Sequence, residues 1–202
     1  MKWIIIGISG LTCSGKTTIA KKIQETLEDS VLISQDNYFL SVDDPRHTLV
    51  PELNHLNWEI LTSLDMSKMY SDVMKTISSL SSNNTLEDKT CSETKILILE
   101  GFLLFNYEPI ADLCQLRYFL DLSREICWNR RSNRVYNPPD VPGYFDTVVW
   151  PEYLKHKEEI FSCPSLINSV KLLDGSKSID ELYNKIMSDI NALLYKYFIN
   201  KK

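Results

Sequence analysis

The stretch from Gly10 to Thr18, reading Gly-Leu-Thr-Cys-Ser-Gly-Lys-Thr-Thr, has the plainest chemical meaning in the chain. Gly10, Gly15, Lys16 and Thr17 match the fixed positions of the phosphate-binding pattern G-x-x-x-x-G-K-[ST]. A glycine-rich turn lets successive backbone N–H groups converge on a phosphate chain, and the helix behind it adds the positive end of its dipole. On this reading Gly10, Leu11, Thr12, Cys13, Ser14, Gly15, Lys16, Thr17 and Thr18 hold ATP. Lys16 reaches the β- and γ-phosphates, and the Thr17 hydroxyl binds Mg²⁺. A chance match in an ordinary strand-turn-helix unit is the plain alternative. The context argues against it: an apolar run from Trp3 to Ile8 precedes the loop as a buried strand, and Ile19, Ala20, Ile23 and Leu27 follow at helical spacing.

Phosphoryl transfer to a hydroxyl also needs groups that hold Mg²⁺ and that orient and deprotonate the acceptor, work that carboxylates do. Asp36 and Glu100 follow the apolar runs that start at Val31 and Ile96, so both are expected at strand C-termini, where open α/β sheets bind ligands. An acid in that position can also merely cap a turn. Arg130, Arg131 and Arg134 come just before Tyr136, Asn137 and two prolines. A solvated basic face is the ordinary reading, with Arg130 and Arg134 on one side of a helix. A lid that closes on transferring phosphates suits their place in the chain better. Trp58 and Tyr136 are aromatics in polar surroundings and, taken alone, read as core. His47, His55 and His156 share no metal-ligand spacing and read as surface histidines. No N-K-x-D base-reading motif follows the phosphate loop, which counts against a GTPase.

Groups placed in this way require a sheet. Strands are expected at 3–8, 31–34, 96–99, 117–122 and 169–173, separated by helical patterns. One helix is expected from Trp58 through Met66, Met69, Val73, Ile77 and Leu80. Another follows Ser123 as N-cap and carries the arginines, and a third runs from Glu152 to Phe161 behind Pro151. The last is opened by a Ser178/Glu181 capping box. Residues 40–57 read as a surface loop and 78–93 as an exposed connection. Strands alternating with helices give an α/β, three-layer fold with a parallel five-stranded sheet.

The 202 residues suit one domain. A formal charge of −5 argues against a nucleic-acid backbone as the main partner. The five cysteines form no C-x-x-C pair, which points to a reducing compartment. The N-terminal apolar run is too short for a signal core or a membrane span, so a soluble, cytoplasmic protein without a membrane partner is expected.

The chain resembles the nicotinamide riboside kinases, relatives of the uridine kinases. The likeness runs through Ile5-Ile6-Gly7-Ile8-Ser9-Gly10, Ser14 to Thr18, Ile33-Ser34-Gln35-Asp36, Glu100 to Tyr107, Arg130-Arg131-Ser132 and Arg134-Val135-Tyr136. It continues through Pro138-Pro139-Asp140, Pro142 to Asp146 and Val149-Trp150-Pro151. The resemblance implies a P-loop NTPase fold with a helical lid at about residues 128–147. It also implies ATP- and Mg²⁺-dependent phosphorylation of the ribose 5′-hydroxyl of nicotinamide riboside, with nicotinic acid riboside a further candidate. Thr17 and Asp36 would contact Mg²⁺; Asp36, Lys16 and Glu100 would be catalytic. Arg130, Arg134, Val135, Tyr136 and the Asp174-Gly175-Ser176 turn would border ATP. Asp36, Asn37, Tyr38, Phe39, Trp58, Glu59, Arg131, Tyr136 and Asn137 would surround the nucleoside, with Arg131 at the ribose hydroxyls and Tyr136 on the pyridine. Trp58-Glu59 stands where the animal members resemble Tyr-Asp, and the 40–57 loop is longer. A monomer acting on a small nucleoside is expected. The rivals are a uridine or other nucleoside kinase and a non-catalytic nucleotide-binding switch.

Overall fold

The continuous apolar run near the N-terminus becomes β1 (Lys2–Gly10), the middle strand of a parallel sheet and covered on both faces. The computed structural model describes residues 2–79 and 94–199. In chain order β1 is followed by α1 (Lys16–Thr26), β2 (Val31–Ser34), a short antiparallel pair of β3 (Leu49–Val50) and β4 (His55–Leu56), and α2 (Met66–Ser79). Then come β5 (Thr94–Glu100), α3 (Glu108–Ala111), β6 (Leu116–Asp121), α4 (Arg124–Arg131), α5 (Trp150–Ser162), β7 (Val170–Asp174) and α6 (Ile179–Ile199). The main sheet has the order β2-β5-β1-β6-β7, all neighbours parallel.

Alternation along β1 feeds two cores. Ile4, Ile6 and Ile8 pack with Ile19 and Ile23 of α1 and Leu182, Ile186 and Ile190 of α6. Ile5 turns to the other face, where Met69 and Val73 of α2, Phe105, Phe119 and Ile160 of α5 form the second layer. Gly7 interrupts the isoleucines because a Cβ there would lie 2.6 Å from the Phe105 ring. The capping box at the start of α6 forms: Ser178 N donates to Glu181 Oε2 at 3.1 Å, and Glu181 N to Ser178 Oγ at 3.2 Å.

Some boundaries differ from the sequence pattern. Helix α2 begins at Met66, not Trp58, because Asp65 caps it through Lys68 N at 3.0 Å while Leu64 bridges to Phe39 in extended pairing. Helix α4 stops at Arg131, so Arg130 and Arg134 do not share a helix face; Arg134 N closes a turn onto Arg131 O at 2.9 Å. A π-helical turn, Phe145–Val149, leads into α5 with Pro151 in its first turn. The 40–57 segment holds the β3/β4 pair, too short to leave a period. Of the expected 78–93 connection, Ser78 and Ser79 end α2, and 80–93 lie outside the described residues. Among the described residues no helix is long and apolar enough to cross a membrane. Cys13, Cys114, Cys127 and Cys163 are free thiols, and burial pushes Cys114 and Cys127 up to about 12.

Candidate active site

The phosphate loop links β1 to α1 along a path that only certain residues tolerate. Gly10 has φ +126°, and a Cβ there would run into the Leu120 backbone of β6. Gly15, at φ +95°, opens α1, and Cys13 between them also takes a positive φ of 60°. Lys16 is buried and its Nζ donates to Leu11 O at 2.8 Å, which folds the ammonium back over the loop. Burial lowers its pKa, opposed by the charges of Glu100 and Asp36.

β5, next to β1, and β2, on the far side of β5, bring up the acids. Register places Glu100 opposite both Ile8 of β1 and Ser34 of β2. Only 1 % exposed, Glu100 accepts from Thr17 Oγ1 at 3.0 Å and from the Ser34 hydroxyl. Asp36 follows β2 on the 3₁₀ turn Gln35–Tyr38, its side chain open to the cavity. The turn is fixed by Gln35, whose Oε1 accepts from Leu103 N at 2.9 Å and whose body fills the space a Cβ on Gly101 would need. The Thr17 hydroxyl and the carboxylates of Glu100 and Asp36 are hard oxygen donors facing one space beside the phosphate loop, the donor set that Mg²⁺ prefers next to phosphates. Among the described residues no group of three or more His, Cys, Asp or Glu is placed to hold a metal by itself.

The far end of the cavity is aromatic. Trp58 meets Phe39 edge-on at 5.8 Å, and Phe39 stacks on Phe102 at 5.9 Å. Below Trp58 lies a buried charge cluster. Arg131 donates through Nε and Nη2 to the two oxygens of Asp140, at 2.7 and 3.0 Å, and lies 3.2 Å from Glu59 Oε1. Its guanidinium sits 4.4 Å from the centre of the Tyr136 ring, and its Nη1 reaches Thr12 Oγ1 at 3.3 Å. Burial raises the Glu59 carboxyl and Arg131 restrains that rise; burial opposes the Arg131 charge, yet Glu59 and Asp140 hold it above the ordinary value. Burial also pushes the Tyr136 phenol up to about 12.

The lid residues diverge. Arg130 Nη1 donates to the carbonyls of Cys13 at 3.2 Å and Gly175 at 3.1 Å, tying the phosphate loop to the β7–α6 turn. Arg134 lies over the outer face of Tyr136 at 5.2 Å. A cavity of about 670 Å³ joins these groups. Thr12, Cys13, Gly15, Lys16, Thr17, Thr18, Asp36, Phe39, Trp58, Glu59, Glu100, Arg130, Arg131, Arg134, Tyr136 and Asn137 all line it. Gly10, Leu11 and Ser14 form the loop behind that wall. Asn37, Tyr38, Asp174, Gly175 and Ser176 do not line it, and Val135 points to solvent at 97 % exposure. Phe102, Asp140 and Tyr144 line it without having been singled out in sequence. Asp140 carried a signal, an acid nine residues past Arg131, but nothing in the pattern pairs them. Nor is His156 a surface histidine: it is 9 % exposed because α5 turns it inward onto Glu59 O, at 2.9 Å.

The family model described as AAA domain matches residues 6–151. Human nicotinamide riboside kinase 1 is 42% identical over 97% of this chain and 96% of its own length. Human nicotinamide riboside kinase 2 is 39% identical over 95% of this chain and 83% of its own. A uridine kinase of Borrelia duttonii (strain Ly) is 36% identical, covering 64% of this chain and 66% of its own. Among solved structures, thymidylate kinase from Candida albicans aligns with a TM-score of 0.53 at 18% identity, over 95% of this chain and 92% of that one. A possible uridine kinase from Bacillus stearothermophilus aligns at 0.51 and 14% identity, over 86% and 90%. Those two likenesses show the three-layer α/β fold of phosphate-loop kinases.

Proposed function

The chain belongs to the nicotinamide riboside kinases, and from that premise we propose that it transfers the γ-phosphoryl group of ATP to the ribose 5′-hydroxyl of nicotinamide riboside, giving nicotinamide mononucleotide for NAD synthesis. The observation that carries this reading is that the phosphate loop, Asp36 and Glu100, and the aromatic pair Trp58 and Phe39 all line one cavity.

In the transfer, Lys16 exchanges the Leu11 carbonyl for phosphate oxygens and offsets their growing charge. Asp36 accepts the proton of the 5′-hydroxyl as its oxygen bonds to the γ-phosphorus, the bond to the bridging oxygen breaks, and ADP leaves. Thr17, Asp36 and Glu100 would hold Mg²⁺, which supplies charge neutralisation at the phosphates. Arg131 and Glu59 offer a donor and an acceptor to the ribose diol. Trp58 offers a π-face to a pyridinium, and Tyr136 lines the same cavity with Arg131 against its ring. Arg130 keeps the phosphate loop in register with the β7–α6 turn, and Arg134 at the rim closes on the phosphates. The reading includes a cytoplasmic monomer working on small molecules only, in keeping with the −5 charge and the free thiols.

A coupled ADP-release assay with nicotinamide riboside, nicotinic acid riboside and uridine as acceptors tests it. Nicotinamide riboside should give the highest kcat/KM; a higher value for uridine would reverse the assignment, and no nucleoside-dependent release at all would favour a binding switch.

A further inference from the structure

The segment Asn57-Trp58-Glu59 carries two walls of the acceptor end, yet it belongs to no helix or strand. It is held from outside instead. Trp58 N donates to the Tyr144 hydroxyl at 2.8 Å, and Trp58 O accepts from Ser63 Oγ at 3.0 Å. Asn57 N donates to Thr48 O at 2.8 Å, and two further ties go to α5, at positions one turn apart: Asn57 Nδ2 donates to Glu152 Oε1 at 2.9 Å, and Glu59 O pairs with His156 Nε2 at 2.9 Å.

His156 faces oxygen on both sides of its ring. Glu59 O is a backbone carbonyl and only accepts, so Nε2 donates. Nδ1 lies 3.1 Å from Glu159 Oε2. Burial raises the Glu159 carboxyl, but hydrogen bonds from His156 and Asn106 outweigh it and hold the group below its ordinary value. Glu152 Oε2 is 3.5 Å from Nε2, and Glu159 adds a second carboxylate from the same helix. Glu59 faces it from the acceptor segment, and Asn106 from the turn after β5 bonds the His156 carbonyl at 3.1 Å and Glu159 at 2.8 Å. Lys155 is turned to Glu152 at 3.8 Å.

We propose that His156 is a positioning residue for nucleoside recognition: by holding the Glu59 carbonyl against α5 it sets how far the Glu59 carboxylate reaches into the cavity. The inference rests on the assignment of that cavity end to the nucleoside. His156 does not line the main cavity, and its Nε2 bond goes to the Glu59 backbone, so its influence falls on acceptor binding.

The test combines kinetics with a measurement independent of turnover. Replacing His156→Leu should raise the nucleoside KM about tenfold while kcat and the ATP KM stay within about threefold. His156→Gln, which keeps one donor towards Glu59 but no charge, should recover most of the loss and also cover the case in which the leucine variant does not fold. Side-chain ¹⁵N NMR, with His156 assigned by its absence from the glutamine variant, should show Nε2 carrying a proton. An unprotonated Nε2, or equal effects on kcat and both KM values, would overturn the proposal. Failure of nicotinamide riboside as acceptor with Nε2 protonated would count against the substrate and spare the hold on Glu59.

Discussion

Removing the Arg131 guanidinium should expose how much of the site's integrity is electrostatic. Arg131 is 5 % exposed and its partner Glu59 13 %, while Asp140, on the other edge of the guanidinium, is 30 % exposed. In Arg131→Met the apolar stem is kept and Asp140 can turn to water, so the cost concentrates on Glu59, left ionised in a dry position. Breaking a buried pair in this way costs about 3–5 kcal/mol. At about 2–4 °C per kcal/mol for a domain of this size, the melting temperature should fall by roughly 6–20 °C. Glu59→Gln in the same chain should restore most of that, because the amide needs no counter-charge. The pH dependence has a definite sign. Burial already raises the Glu59 carboxyl, and losing Arg131 raises it further, so the folded variant binds a proton more readily than the unfolded chain. Its stability therefore falls as pH rises, and the deficit relative to wild type should shrink between about pH 8 and 5. Thermal melts of wild type, both single variants and the double variant across that range form a complete cycle. A deficit under about 1 kcal/mol, or one indifferent to pH and to Glu59→Gln, would refute a buried pair and leave a surface one.

Asp36→Asn should lower kcat by roughly two orders of magnitude or more while nucleotide still binds, checked by steady-state kinetics beside a nucleotide-binding titration. Trp58→Leu keeps an apolar wall but loses the π-face; kcat/KM for the cationic nicotinamide riboside should drop by about threefold to thirtyfold more than for a neutral nucleoside, and equal losses would mean that the wall only fills space. Gly101→Ala forces a methyl into Gln35, whose turn carries Asp36, so kcat should fall together with thermal stability; an unaffected enzyme would show that the Gln35 to Leu103 N bond does not hold the catalytic turn in place.

The sheet and the placement of two acids beside the phosphate loop were legible because their signals are local. An unbroken apolar run has only one comfortable place, the middle of a parallel sheet, and an acid at its end is carried to the ligand-binding edge with it. Asp36 and Glu100 follow from that rule, as does the capping box of α6. The acceptor end was less legible because it is built from pairings far apart in the chain. Trp58 read as the start of a helix, since nothing local shows that Leu64 pairs with Phe39 and that Asp65 is the cap. Arg134 read as helical because a four-residue spacing does not reveal that α4 ends at Arg131. Asp140 went unassigned and His156 read as a surface residue for the same reason: their meaning lies in Arg131 and in the Glu59 carbonyl, partners that no spacing encodes.

The adjacency of β2, β5 and β1 gives the proposed transfer centre a rigid frame. Asp36, Glu100 and the phosphate loop each follow one of three neighbouring strands, spaced about 4.8 Å apart and held by backbone ladders. The acceptor end has no such frame, since Trp58 and Glu59 are suspended from side chains of α5 and its preceding turn. Reaction geometry and substrate choice thus sit on supports of unequal stiffness. Drift in the loops can re-tailor which nucleoside fits without disturbing the distance over which phosphate moves, and mild denaturing stress should blur substrate discrimination before it touches the chemistry.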